Sequence, residues 1–158
     1  MMKGYRFVVA LVAGLCLSAL AFAGTPVEDL IARYEVEQGA KQYKASGAAM
    51  AVGRTFLKKY PIAPLANDID EMLILRMQKA SAEVRKSFVA DFKKVMKDYI
   101  YVGRQETKQG DVDVYCLLGK TPSSVVELIV YNPESYALNC LRGNMKQEDL
   151  MKIRKPAE

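Results

Sequence analysis

The sequence predicts an α+β protein: N-terminal helices packed on an antiparallel sheet dominated by a C-terminal four-stranded meander, with a short helix at the end. Three observations predict it. Apolar residues recur at helical spacing before residue 99, they alternate at a spacing of two after it, and turn-forming residues separate the alternating runs. Helices first, then a meander, then a helix is the order of a fold with its helices gathered on one face of one sheet.

Residues 1–23 stand apart. Lys3 and Arg6 form a basic start, Phe7 to Phe22 is uncharged and apolar, and Ala21-Phe22-Ala23 is an A-x-A cleavage site before Gly24. This is the pattern of a signal peptide cleaved after Ala23. The 16-residue apolar run is short for a spanning helix, which needs about 20. Leu15 precedes Cys16 where a lipoprotein signal has a small residue. The expectation is therefore an exported mature chain, periplasmic or envelope-associated, neither membrane-spanning nor lipid-anchored. Residues 24–158 form one α+β domain, without repeats, low-complexity segments or a Ser- or Gly-rich linker.

Thr25-Pro26-Val27-Glu28 reads as a capping box with proline at the first helical position, opening a helix over 26–37. Residues 40–46 suggest a short strand. Ser46 is a candidate cap for a second helix over 47–59, with Ala49, Val52, Phe56, Leu57 and Tyr60 on one face. Pro61 and Pro64 end it. Residues 69–76 fit helix and strand alike. Ser81 caps a long helix whose stripe is Val84, Phe88, Phe92, Val95 and Tyr99, with Lys93, Lys94 and Lys97 at its cationic end. Four strands follow, over 100–107, 112–118, 126–131 and 136–141. Turns at Lys108-Gln109-Gly110, Gly119 to Ser123 and Asn132-Pro133-Glu134-Ser135 join them. Asn144 to Gln147 reads as a capping box for a last helix reaching Arg154.

Composition excludes some chemistry. With no histidine, the chain cannot by itself form a Ser-His-Asp triad, a Cys-His pair or a His-ligated zinc site. No phosphate loop or zinc spacing is present, and no cofactor is called for. Without Lys3 and Arg6, 21 basic residues face 18 acidic ones, a net charge of +3 that points to no particular partner. Export argues against nucleic acid.

The second half resembles a known family. Tyr99-Ile100-Tyr101 after the long helix, Val112-Asp113-Val114-Tyr115, Val126-Glu127-Leu128-Ile129-Val130, the strand from Leu138 to Met145 centred on Leu141-Arg142-Gly143-Asn144, and Glu148-Asp149-Leu150 carry the likeness. They resemble the domain of unknown function 4252 family, small exported envelope proteins typical of Bacteroidetes. The resemblance spans about residues 26–154. It implies an extended segment at 69–76 and an exported setting, and it implies no reaction, since the family has none assigned. Asn144 stands where members often show Asp.

Four sets of polar residues and one pair of cysteines are candidate sites. Glu127 lies inside an apolar strand. Alternation between Val126 and Leu128 points it to solvent, but on a buried face it would need Arg142 or Lys120 as partner. Asp111 and Asp113 share one sheet face, where paired carboxylates can do acid–base work or stand solvated beside a turn. Asn67, Asp68, Asp70 and Glu71 form an acidic cluster that lacks the glycine and distal glutamate of a calcium loop. Arg85, Lys86 and the helix lysines can meet anionic lipid or be a solvated face. Export permits a disulfide between Cys116 and Cys140, but a simple meander separates their strands by one strand, about 9–10 Å, which favours free buried thiols; a different strand order would restore the pairing. The functional expectation is a non-enzymatic interaction module binding an envelope protein or lipid through a sheet face or edge. The alternatives are a carrier of small apolar ligands and a carboxylate hydrolase using Glu127 and Asp113.

Overall fold

A computed structural model of the protein describes residues 24–153. The expected signal peptide and the end of the expected last helix at Arg154 lie outside the described residues. Among the described residues there are four α-helices and six strands: α1 (Pro26–Tyr34), β1 (Lys41–Ser46), α2 (Ala49–Leu57), β2 (Ile69–Arg76), α3 (Ala82–Val95), β3 (Ile100–Gln105), β4 (Val112–Leu118), β5 (Ser124–Asn132), β6 (Ala137–Lys146) and α4 (Gln147–Ile153). The strands form one sheet in the order β1-β2-β6-β5-β4-β3. Every pairing is antiparallel. The four-stranded meander is β3 to β6, and the ambiguous segment 69–76 is strand β2, which joins β6 to the β1 edge.

One expectation is corrected here with consequences for the site. The helices do not gather on one face. α1 and α3 bury Val27, Leu30, Ile31, Phe88 and Phe92 against Leu73, Leu75, Ile129, Tyr131, Leu138 and Cys140. On the opposite face, α2, the 3-10 turn Ala63–Asp68 and α4 bury Met50, Leu57, Leu65, Leu150 and Ile153 against Val114, Cys116, Leu128, Leu141 and Met145. The central strands β5 and β6 are therefore buried on both sides. Each fully buried Leu, Ile or Phe is worth about 1.5–3 kcal/mol of transfer energy, and the two layers share a single sheet.

Caps account for most boundary differences. Ser81 accepts a hydrogen bond from the Val84 amide (3.2 Å) and starts α3 as predicted. α3 then gives way at Met96 to a 3-10 turn that delivers Tyr99 to the core. Ser46 belongs to β1, and Ala48 precedes α2 without a side-chain cap. Asn144 is a residue of β6, its Oδ1 accepting from Ser124 Oγ at 2.9 Å, so α4 begins later than its apparent capping box. Thr25 flanks α1 in extended conformation but makes no side-chain cap, because its hydroxyl is used elsewhere.

Candidate functional site

Glu127 is fully buried, which corrects the solvent-facing expectation. A bulge between Val125 and Glu127 in the β5–β6 register puts Val125 and Leu128 on the α2/α4 face. Glu127 joins Ile129 and Tyr131 on the α1/α3 face. Alternation correctly set Glu127 opposite Leu128, but that side is covered by α1 and the Tyr99 segment. Thr25 Oγ1 donates to Glu127 Oε2 at 2.6 Å, the Tyr99 hydroxyl donates to Oε1, and Arg142 Nε lies 3.3 Å from Oε2. Arg142 also reaches Glu28 (3.0 Å) and Glu71 (3.2 Å), and Lys44 approaches Glu71 at 3.8 Å. Thus Thr25 and Glu28, which sequence reads as a capping box, both turn to this cluster. Glu28, Glu71, Thr25 and Tyr99 are partners that the sequence reading did not assign to Glu127 or Arg142; Lys120 is not one of the partners.

The electrostatics follow from burial. Burial, then the Glu127 carboxylate, push the Tyr99 phenol far up, so it stays a neutral donor. Burial and Glu127 likewise push the Cys140 thiol up. Burial alone would lower the Arg142 guanidinium, but Glu28 and Glu127 outweigh it and hold it above its ordinary value. The cluster is a closed ion-pair network tying β2, β5, β6 and the start of α1 together.

Asp113 stands apart from it. It receives a two-pronged pair from Arg104 (3.0 and 3.1 Å) and the Tyr101 hydroxyl (3.1 Å). It shares the Glu127 face. However, Glu127 is registered with Leu117 and Asp113 with Tyr131, four residues or about 13 Å apart along β4. The two carboxylates do not converge. The acidic cluster also disperses: Asp70 pairs with Arg54 at 3.4 Å, and Glu71 faces Arg142. Among the described residues, no group of three or more His, Cys, Asp or Glu could hold a metal ion. Cys116 and Cys140 are free and buried, in strands flanking β5, and they belong to opposite faces of the sheet.

A concave feature of the described residues lies on the other face. A cleft of about 410 Å³ opens over the sheet beside α2 and α4. Its floor is Met72 and Ile74 of β2, Val112 and Val114 of β4, Val130 of β5, and Ala137, Asn139 and Leu141 of β6, with Asn139 between Ile74 and Val130. At its inner end Leu57, Ile62 and Ile153 close it, all buried. Phe56, half exposed and packed on Tyr60 with ring centres 4.9 Å apart, forms a side wall. Apart from Asn139, the polar lining residues collect at the other end. Arg76 ends β2, Gln105 ends β3 and Asn132 ends β5; Gln78, Thr107, Gln109 and Ser135 lie on the connections just beyond strands of that edge. The cleft is therefore directional, mostly apolar within, where Asn139 donates to the Val130 carbonyl, and hydrogen-bonding at the mouth. The sequence marked none of its residues as a ligand site, because five strands, two helices and the connections between them contribute one to three each.

No protein-family model, curated protein or solved structure matches the chain.

Proposed function

We propose that the chain works outside the cytoplasm as a non-enzymatic binding module, and that its working surface is the sheet-face cleft, which takes the apolar tail of a small amphiphile. The cleft's polarity carries this reading: a volume of about 410 Å³ lies within the usual range of about 300–1,000 Å³ for ligand sites. The mostly apolar floor beneath α2 and the polar mouth match a molecule with one greasy end and one wet end. The basic start, apolar run and A-x-A site of residues 1–23 support export. The strand motifs agree with it, since the family they resemble is exported and has no assigned reaction. A hydrolase built on Glu127 and Asp113 fits less well, because those carboxylates occupy separate networks and neither lines the cleft.

The test is saturable binding of N-phenyl-1-naphthylamine, an uncharged apolar dye, followed by its fluorescence. The purified protein should bind it, and Val130→Arg, which puts a charge on the half-buried floor, should weaken binding about tenfold or more, the equivalent of about 1.4 kcal/mol. Val130→Ala should retain binding. Equal binding by wild type and Val130→Arg would place the dye elsewhere and reject the cleft as the site.

A further inference from the structure

We infer that the ligand of this cleft is a single-chain amphiphile with an anionic head, held at the mouth by Arg76. The inference rests on the cleft reading above and adds the charge of the ligand. Arg76 is the one charged side chain among the residues lining the cleft. It makes no hydrogen bond or ion pair with another of the described residues, whereas most other Arg side chains of the sheet and helices are committed to carboxylates. Its guanidinium lies over the Tyr43 ring, 5.6 Å from the ring centre. That contact draws the guanidinium over the ring, and its N–H donors, unused by the described residues, suit two-pronged capture of a carboxylate or similar oxyanion.

The surroundings reinforce the charge. Lys41 is the direct β1 partner of Arg76, so both side chains rise on the cleft face at one corner of the sheet. The other polar groups of the mouth are partly spent within the protein. Asn132 donates to the Gln109 carbonyl and accepts from the amides of Glu134 and Ser135. Thr107 donates to the Gly110 carbonyl, and on the floor Asn139 donates to the Val130 carbonyl. The acid of that turn, Glu134, turns toward Gly110 on the β3–β4 connection and is not a lining residue. An anionic head at Arg76 would leave the attached chain lying across Ile74, Val130 and Leu141 toward Leu57.

Competition against the bound dye tests this with three probes of equal chain length: decanoate, decanol and decylamine, each below its micelle concentration at neutral pH. Decanoate should displace the dye at a concentration at least tenfold below either of the others. Arg76→Gln should abolish that advantage, read as the ratio of decanol to decanoate concentrations needed to displace the dye from that same variant, and Arg76→Lys should keep most of it. Equal potency of decanol and decanoate on wild type, or a decanoate preference surviving in Arg76→Gln, overturns the anionic head while leaving the cleft reading standing. If no dye binds, or if Val130→Arg binds it as wild type does, the cleft reading falls and this inference with it. Capture by phosphatidylglycerol vesicles that is indifferent to Val130→Arg, without decanoate binding, would assign Arg76 to a membrane surface and also overturn it.

Discussion

Glu127 is out of water in the middle of a six-stranded sheet, and a carboxylate there persists only if its oxygens are filled. Burying an ion costs several kcal/mol, and a good partner set returns that cost. Here Thr25 and Tyr99 supply hydroxyl donors and Arg142 the opposite charge. Removing the carboxylate should be costly because it strands its partners. Glu127→Ala should destabilise the fold by about 3–5 kcal/mol. Glu127→Gln keeps the shape and one acceptor and should cost about 1–3 kcal/mol. Urea unfolding followed by far-ultraviolet circular dichroism measures both, and unchanged midpoints would dismiss the network as a contributor to stability. The same residue shows why alternation misled. Period two tells which residues share a face, and it did so correctly for Leu128 and Glu127. It carries no information about whether a distant helix covers that face, and Thr25 lies 102 residues away in sequence.

At the scale of elements, the strands of the meander were legible because each alternates and each ends in a turn residue with a backbone reason. Gly110 adopts a positive φ of 108° in the β3–β4 turn. The long helix α3 was legible from its stripe and its Ser81 cap. Strand β2 was not, since its short apolar run fits either period and only its place between β1 and β6 decides the matter. Nor were the caps of α1 and α4: Thr25 and Asn144 have the right chemistry for capping, but tertiary partners took their side chains. The β2–β6 junction makes a prediction of its own. Gly143 pairs with Ile69 where the register shifts, and a Cβ there would overlap the Asp68 carbonyl oxygen. The obstacle is backbone, so it cannot swing aside as a long side chain would. Gly143→Ala should therefore cost about 1–3 kcal/mol, the range for overpacking, and should raise amide exchange at Ile69 and Glu71 before it does so in β4 or β5. Uniform exchange across the sheet would reject a local clash.

The molecule as a whole is built as two helical layers around one sheet, and its charge chemistry differs between the two sides. The α1/α3 side encloses the Glu127 network and an aromatic cluster. The α2/α4 side leaves part of the sheet open as a cleft with a basic mouth. The aromatic side gives the whole fold an alkaline limit. Burial pushes the phenols of Tyr34 and Tyr131 from 10.0 up to about 12, with the Asp91 carboxylate adding to the effect at Tyr34. Tyr99 is driven in the same direction by burial and Glu127. In the unfolded chain these phenols ionise near 10, so above that pH the unfolded state sheds protons that the folded state still holds. Stability from these groups is complete below pH 10 and drains away as the pH climbs toward 12. Near pH 11 the loss is on the order of 1 kcal/mol for the buried Tyr131. Tyr131 isolates the effect. It packs against Phe92 with ring centres 4.3 Å apart and against Phe88 at 6.2 Å, and its hydroxyl makes no hydrogen bond to the described residues. Tyr131→Phe should fold as well as wild type at neutral pH and lose less stability between about pH 9 and pH 11. Phenolate absorbance in wild type should rise in two steps, exposed tyrosines first and the buried set together with unfolding. A single step near 10 with the fold intact would mean that water reaches the α1/α3 layer freely and that the aromatic cluster is not the closed half of the molecule.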